Sequence, residues 1–274
     1  MIGKAGDDTY GGYLIAKLLE NDIDISGVEV APYLPSNERV VMIDEETHES
    51  RCVFSHVSQG ATAAWKKKDF SYPEQFGDGE WLDLIVAQME IDKKVVETMI
   101  ETAGHADIPF CLNAAPASPI NPTPYQLITH LVVNESGAAI LLDCTEDEVE
   151  VDCPKAAKRF LNLGVQNVVI TLGAKGAYYA NAKVSGLCAG YAVPVLDTNG
   201  AGLTQVLSNT FTGAYAADYV RQISSPSGEW DIESAVVRAN QAAAISIGSA
   251  GAQGHIPWAN EIDLFDMMAE MTLD

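Results

Sequence analysis

The sequence predicts an α/β fold, with a mostly parallel central sheet flanked by helices and a small β hairpin set apart from it. One observation leads there. Short runs rich in β-branched and aromatic residues alternate with longer stretches of helical periodicity along most of the chain. Strands that alternate with helices build βαβ units around a parallel sheet.

The elements follow in order. Residues 11–21 read as a helix whose periodic apolar face is carried by Tyr13, Leu14, Ala16, Lys17, Leu18 and Leu19. Residues 39–44 and 50–54 read as a hairpin around Glu45-Glu-Thr-His-Glu49, within a lid segment expected over 30–56. Residues 82–87 form a buried strand, and a helix follows over 93–103. Strands are expected at 109–113, 131–134 and 167–171, with a helix at 154–163 between the last two. The acidic run Glu146-Asp-Glu-Val-Glu150 reads as a solvated helix start, where carboxylates favour the helix dipole. Residues 177–180 and 191–195 are expected to pair as antiparallel strands. Helices close the chain at 202–220 and 232–247, separated by the loop Ser224-Ser-Pro-Ser-Gly228. There is no internal repeat, and residues 1–274 are expected to form one domain.

Composition excludes several classes. The chain has 16 Lys+Arg against 38 Asp+Glu, a net charge of −22, which repels nucleic acid and anionic membranes. The single basic cluster, Lys66-Lys-Lys68, is short enough to be a solvated loop. No apolar run approaches the roughly 18 residues of a spanning helix, and the N-terminus has no signal-peptide core. A cytoplasmic protein is expected. Five scattered cysteines without a CxxC pair read as reduced thiols. The five histidines lack metal-ligand spacing, so no metal site is expected; His56 and His255 are the two to watch near a pocket.

The chemistry-bearing stretch is Asp197-Thr-Asn-Gly-Ala-Gly-Leu203. Consecutive backbone N–H groups opening a helix make an anion hole, and glycines there let the backbone approach a phosphate. A second glycine loop, Thr171-Leu-Gly-Ala-Lys-Gly176, follows a strand. Further short motifs accompany them: Gly3-Lys-Ala-Gly-Asp-Asp8 before Gly11 or Gly12, Gln88-Met-Glu90, Leu112-Asn-Ala-Ala-Pro-Ala117, Val133-Asn-Glu-Ser-Gly137, and Gly251-Ala-Gln253 before Ile256-Pro257. Together and in this order they resemble the ribokinase-like (PfkB) carbohydrate kinases. That resemblance implies nucleotide phosphate contacts from Thr171, Gly173, Thr198, Asn199, Gly200, Ala201 and Gly202, with ATP and Mg²⁺ as cofactors if the nucleotide site is kept.

The chain departs from the family pattern at three places. Leu203 stands where the family has its catalytic aspartate. Gly137 stands where the Asn-x-x-Glu pattern has a glutamate that organises magnesium. The chain starts at the family's second block, without the Asn-x-Asp and Gly-Gly-Lys segments that hold the sugar. A missing general base alone costs on the order of 10²–10⁴ in rate, and lost positioning and electrostatics add to that.

The expectation is therefore a ribokinase-like protein that has lost sugar-kinase activity and been repurposed for non-phosphotransfer chemistry on a small molecule, such as cyclisation, isomerisation or elimination. Asp197, Asn134, Asn113 and His56 are the candidates to carry it. The alternatives are a non-catalytic pseudokinase that binds nucleotide or metabolite, and a weak ATP-dependent sugar or nucleoside kinase. If the first unit is truly missing, the faces it would leave uncovered predict a homodimer.

Overall fold

The computed structural model describes residues 1–43, 50–55, 60–77, 81–191, 200–247 and 256–271. In chain order the strands and α-helices are β1 (Ile2–Gly6), α1 (Thr9–Glu20), β2 (Gly27–Ala31), β3 (Glu38–Ile43), β4 (Ser50–Ser55), β5 (Ile85–Gln88), α2 (Lys93–His105), β6 (Phe110–Asn113), β7 (His130–Asn134), α3 (Glu135–Leu142), α4 (Glu146–Val151), α5 (Cys153–Asn162), β8 (Asn167–Thr171), β9 (Ala177–Asn181), β10 (Ser185–Cys188), α6 (Gly200–Ile223), α7 (Ile232–Ile247) and α8 (Ala259–Met271).

Among the described residues six strands form the central sheet, in the order β10-β9-β8-β7-β6-β5. The β5–β6, β6–β7 and β7–β8 pairings are parallel; β9 and β10 add antiparallel strands at one edge. The expected mostly parallel sheet flanked by helices is present. Two further pairs stand apart from it: β1 with β2, parallel, and β3 with β4, antiparallel from Glu38↔Ser55 to Ile43↔Ser50.

Strand periodicity divides the core into two layers. Successive side chains of a strand point to opposite faces, so Phe110, Leu112, Leu131, Val133, Val168 and Ile170 face one layer with α2, α3 and α5. Cys111, Val132 and Val169 face the other, with Phe211 and Tyr215 of α6 and Val236 and Ala239 of α7. Both faces are covered, which explains why these strands read as continuous apolar runs rather than alternating ones. The buried carboxylate of Asp218 on α6 accepts from Arg221 and from Gln222 (2.6 Å), with Arg238 of α7 at 3.9 Å.

Local chemistry starts the helices where they start. Asp8 caps α1 by accepting from Gly11 N at 2.7 Å, and Asp92 caps α2 through Lys94 N at 2.8 Å. Thr145 and Glu148 form a reciprocal capping box on α4, as the acidic run there suggested. Asp152 caps α5, with Pro154 in its first turn, where a missing N–H costs nothing.

Two expectations change. The partner of β9 is β10 at Ser185–Cys188, not residues 191–195, of which 192–195 lie outside the described residues. The Asn181 side chain accepts from Lys183 N (2.8 Å) and Val184 N (2.9 Å), so the chain turns back within three residues. Strands β1 and β2 add to the expected elements: Ile2-Gly-Lys-Ala-Gly6 holds two glycines, which are poor strand formers, whereas Gly27-Val-Glu-Val-Ala31 carries only a short apolar–polar alternation.

Candidate functional site

In an open α/β sheet the ligand crevice lies beyond the carboxyl ends of the parallel strands. Those ends are Gln88 (β5), Asn113 (β6), Asn134 (β7) and Thr171 (β8). Register aligns them in pairs: Gln88 stands opposite Asn113, and Asn134 opposite Thr171. Four polar residues thus end four apolar strands. At β5, β7 and β8 the change follows from the solvent boundary that the strand reaches; Asn113 of β6 stays buried.

Helix α6 closes over one side of this row. Asn113, buried, donates from its carboxamide to Ser208 Oγ at 3.2 Å, and Ser208 Oγ lies 3.4 Å from Asn113 Oδ1. Gln88 Nε2 donates to Asn209 Oδ1. Neither Ser208 nor Asn209 was singled out from the sequence, because Asn209 lies six positions beyond Leu203. Strand β4 of the hairpin also lies against α6.

Asn134 has a structural duty as well. Its Oδ1 accepts from Gly137 N at 2.8 Å and caps α3. Gly137 is tightly enclosed: a Cβ there would lie 2.7 Å from Asn134 Oδ1 and 2.8 Å from a Val133 methyl. The carboxylate nearest in sequence is Glu135, half-buried at the start of α3. Burial pushes its carboxyl above the ordinary value; Glu150 and Glu146 add to this and Lys175 opposes it. Lys175 pairs with Glu150 at 3.2 Å.

The Thr171 loop is held by its glycines. Gly173 (φ 56°) and Gly176 (φ 99°) adopt left-handed backbone that other residues avoid. A Cβ at Gly176 would also lie 2.1 Å from Cys188 O, so β10 closes against this loop only because Gly176 has no side chain. At Gly173 the surrounding space is open. On the other side of the fold, a Cβ at Gly11 would lie 2.0 Å from Gly6 O, whereas Gly12 and Gly3 meet nothing. Asp8 links these parts: Gly11 N, Ser36 N and Ser36 Oγ all donate to it and hold its carboxyl below the ordinary value.

Gly200, Ala201 and Gly202 are the first three residues of α6, a 24-residue helix, so their N–H groups have no intrahelical partner. Asp197, Thr198, Asn199, His56 and His255 lie outside the described residues. Asn113, Asn134 and Thr171 are brought to one end of the sheet. Among the described residues no group of three His, Cys, Asp or Glu side chains is gathered to hold a metal ion. Among them, too, no helix is long and apolar enough to cross a membrane.

Comparison with known proteins bears on the expected function. The family model described as pfkB family carbohydrate kinase matches residues 1–259. The ribokinase of Bacillus subtilis is 30% identical over 264 residues, covering 96% of this chain and 80% of the relative. The ribokinase of Schizosaccharomyces pombe is 28% identical over 268 residues, covering 96% and 78%. The structure of Arabidopsis thaliana ribokinase complexed with ribose and ATP superposes with a TM-score of 0.78 at 22% identity, over 96% of this chain and 80% of that one. These relatives overturn the expectation of a kinase repurposed for non-phosphotransfer chemistry, and they lend no support to a pseudokinase. That expectation weighed Leu203 and Gly137 too heavily. Phosphoryl transfer depends almost entirely on positioning and electrostatic stabilisation, so a changed base position slows such a site without converting it to another reaction. The chain belongs to the pfkB family of carbohydrate kinases.

Proposed function

We propose that the chain is a ribokinase-type sugar kinase, transferring the γ-phosphoryl group of ATP to a hydroxyl of a pentose. The observation that carries this reading is the 30% identity to a ribokinase across 96% of the chain. The polar row at the strand ends supports it. Gln88, Asn113 and Ser208 are neutral hydrogen-bonding groups of the kind that bind sugar hydroxyls.

In this reading the free N–H groups of Gly200, Ala201 and Gly202 cradle a phosphate, with Thr198 and Asn199 just before them. Thr171 and Gly173 line the nucleotide side. The open space around Gly173 fits a ligand's close approach to the backbone. Mg²⁺ keeps several waters and is carried largely by substrate phosphates, so the protein need supply only one or two carboxylates. Glu135, half-buried at the same end of the sheet, fits that limited role. The β3–β4 hairpin, within residues 30–56 of a single domain, serves as a lid over the sugar. The chain works in the cytoplasm, where ATP is supplied, and as a homodimer.

The test is ADP release in a coupled assay with ATP, Mg²⁺ and a panel of ribose, deoxyribose, other pentoses, hexoses and nucleosides. Ribose-dependent release is expected. Its turnover should be lower, by on the order of 10²–10⁴, than that of an enzyme with a placed base. ATP binding without phosphorylation of any sugar or nucleoside would sink the reading.

A further inference from the structure

We propose that Asn209, rather than Leu203, is the residue of α6 that faces the acceptor hydroxyl. The inference rests on the sugar-kinase reading and names the group at its reaction centre. Helix α6 rises about 1.5 Å and turns about 100° per residue. The Leu203 backbone therefore lies about 9 Å along the axis from Asn209 and about 240° around it.

Among the described side chains of α6, those that meet the strand ends are Ser208 and Asn209, through Asn113 and Gln88. Asn113 and Gln88 are register partners, so the four side chains form one patch. Asn113 is buried, Gln88 and Ser208 are half-buried, and Asn209 is exposed. Asn209 is thus the member of the patch that opens toward a ligand in the crevice, on the helix against which strand β4 lies.

A carboxamide oxygen accepts a hydrogen bond from a sugar hydroxyl and orients it, but it does not take the proton at neutral pH. The reaction at this centre then runs without a protein base. The sugar oxygen bonds to the γ-phosphorus, the bond from that phosphorus to the ADP oxygen breaks, and the hydroxyl proton passes to a phosphoryl oxygen. Gly200, Ala201 and Gly202, farther up the helix, contact the part of the phosphate chain nearer the nucleoside rather than the transferring group.

The experiment compares wild type with Asn209→Asp, Asn209→Ala and Leu203→Asp, measuring ribose and ATP binding by calorimetry and kcat against pH. Asn209→Asp is expected to raise kcat at least tenfold and to create an acidic limb in the pH profile, where kcat falls as the new carboxyl protonates. Asn209→Ala is expected to lower kcat with the KM for ATP unchanged. Leu203→Asp is expected to add no new limb to the pH profile. A gain in Leu203→Asp but not in Asn209→Asp would overturn the proposal while leaving the kinase reading intact. So would an Asn209→Asp variant that folds and binds both ligands without gaining rate. No phosphorylation of any sugar or nucleoside by any variant would instead overturn the kinase reading itself, and this proposal with it.

Discussion

His130 shows how much one buried side chain can control. It is fully enclosed in the second core layer, its Nδ1 2.9 Å from Tyr215 Oη, with the Tyr219 and Trp230 rings 4.4 and 5.4 Å away, centroid to centroid. Burial pushes its pKa down to about 3, because the imidazolium would lose its hydration there. The unfolded chain binds that proton near pH 6.5, so between about pH 6.5 and 3 the unfolded state holds more protons than the folded one. The stability His130 contributes is complete above pH 6.5 and falls on acidification, at up to about 1.4 kcal/mol per pH unit. Thermal melts from pH 7 to 5 should show this slope in wild type and lose most of it in His130→Phe. An unchanged slope in the variant would show that other groups set it. From sequence, His130 reads only as an isolated histidine; its partners are 85 residues or more away.

Among the elements, α3 depends on one hydrogen bond for its start. It has eight residues, and Asn134 both ends β7 and caps α3. Asn134→Ala should cost about 1 kcal/mol, a Tm drop of roughly 2–4 °C for a chain of this size. Calorimetry checks it; a shift below 1 °C would mean that packing of Ala138, Ala139 and Leu142 holds the helix without its cap. Elements with period-matched apolar faces, such as α2 and α7, were legible from sequence. The β9–β10 hairpin was misread because residues 191–195 carry a stronger β pattern than Ser185-Gly-Leu-Cys188. The Asx turn at Asn181 outweighed that pattern by pairing the nearer segment.

For the whole molecule, the distribution of apolar surface matters most. Tyr10, Tyr13, Leu14 and Leu19 of α1 are exposed, as are Ile256 and Trp258. Tyr13, Leu14, Ile256 and Trp258 line an open cavity of about 970 Å³, together with β1. Contiguous apolar surface of this kind marks an association face, and here it motivates the proposed homodimer. The net charge of −22 opposes association, so salt should strengthen the dimer. Light scattering at moderate salt should give the dimer mass, and Leu14→Glu should give a folded monomer whose melting, unlike that of wild type, does not depend on protein concentration. A monodisperse wild-type monomer across salt concentrations would exclude this interface.

The sequence by itself determined the family, the parallel strands, the long helices and the polar residues that end the strands. Periodicity, glycine loops and caps are local, and local chemistry is written in neighbouring residues. Only the tertiary structure decided which part of α6 meets the strand ends, that Gly137 is enclosed, and that His130 is buried among aromatic rings. Each of these depends on contacts between residues far apart in the chain. Such contacts arise from how layers pack around the sheet, and no spacing within one segment records them.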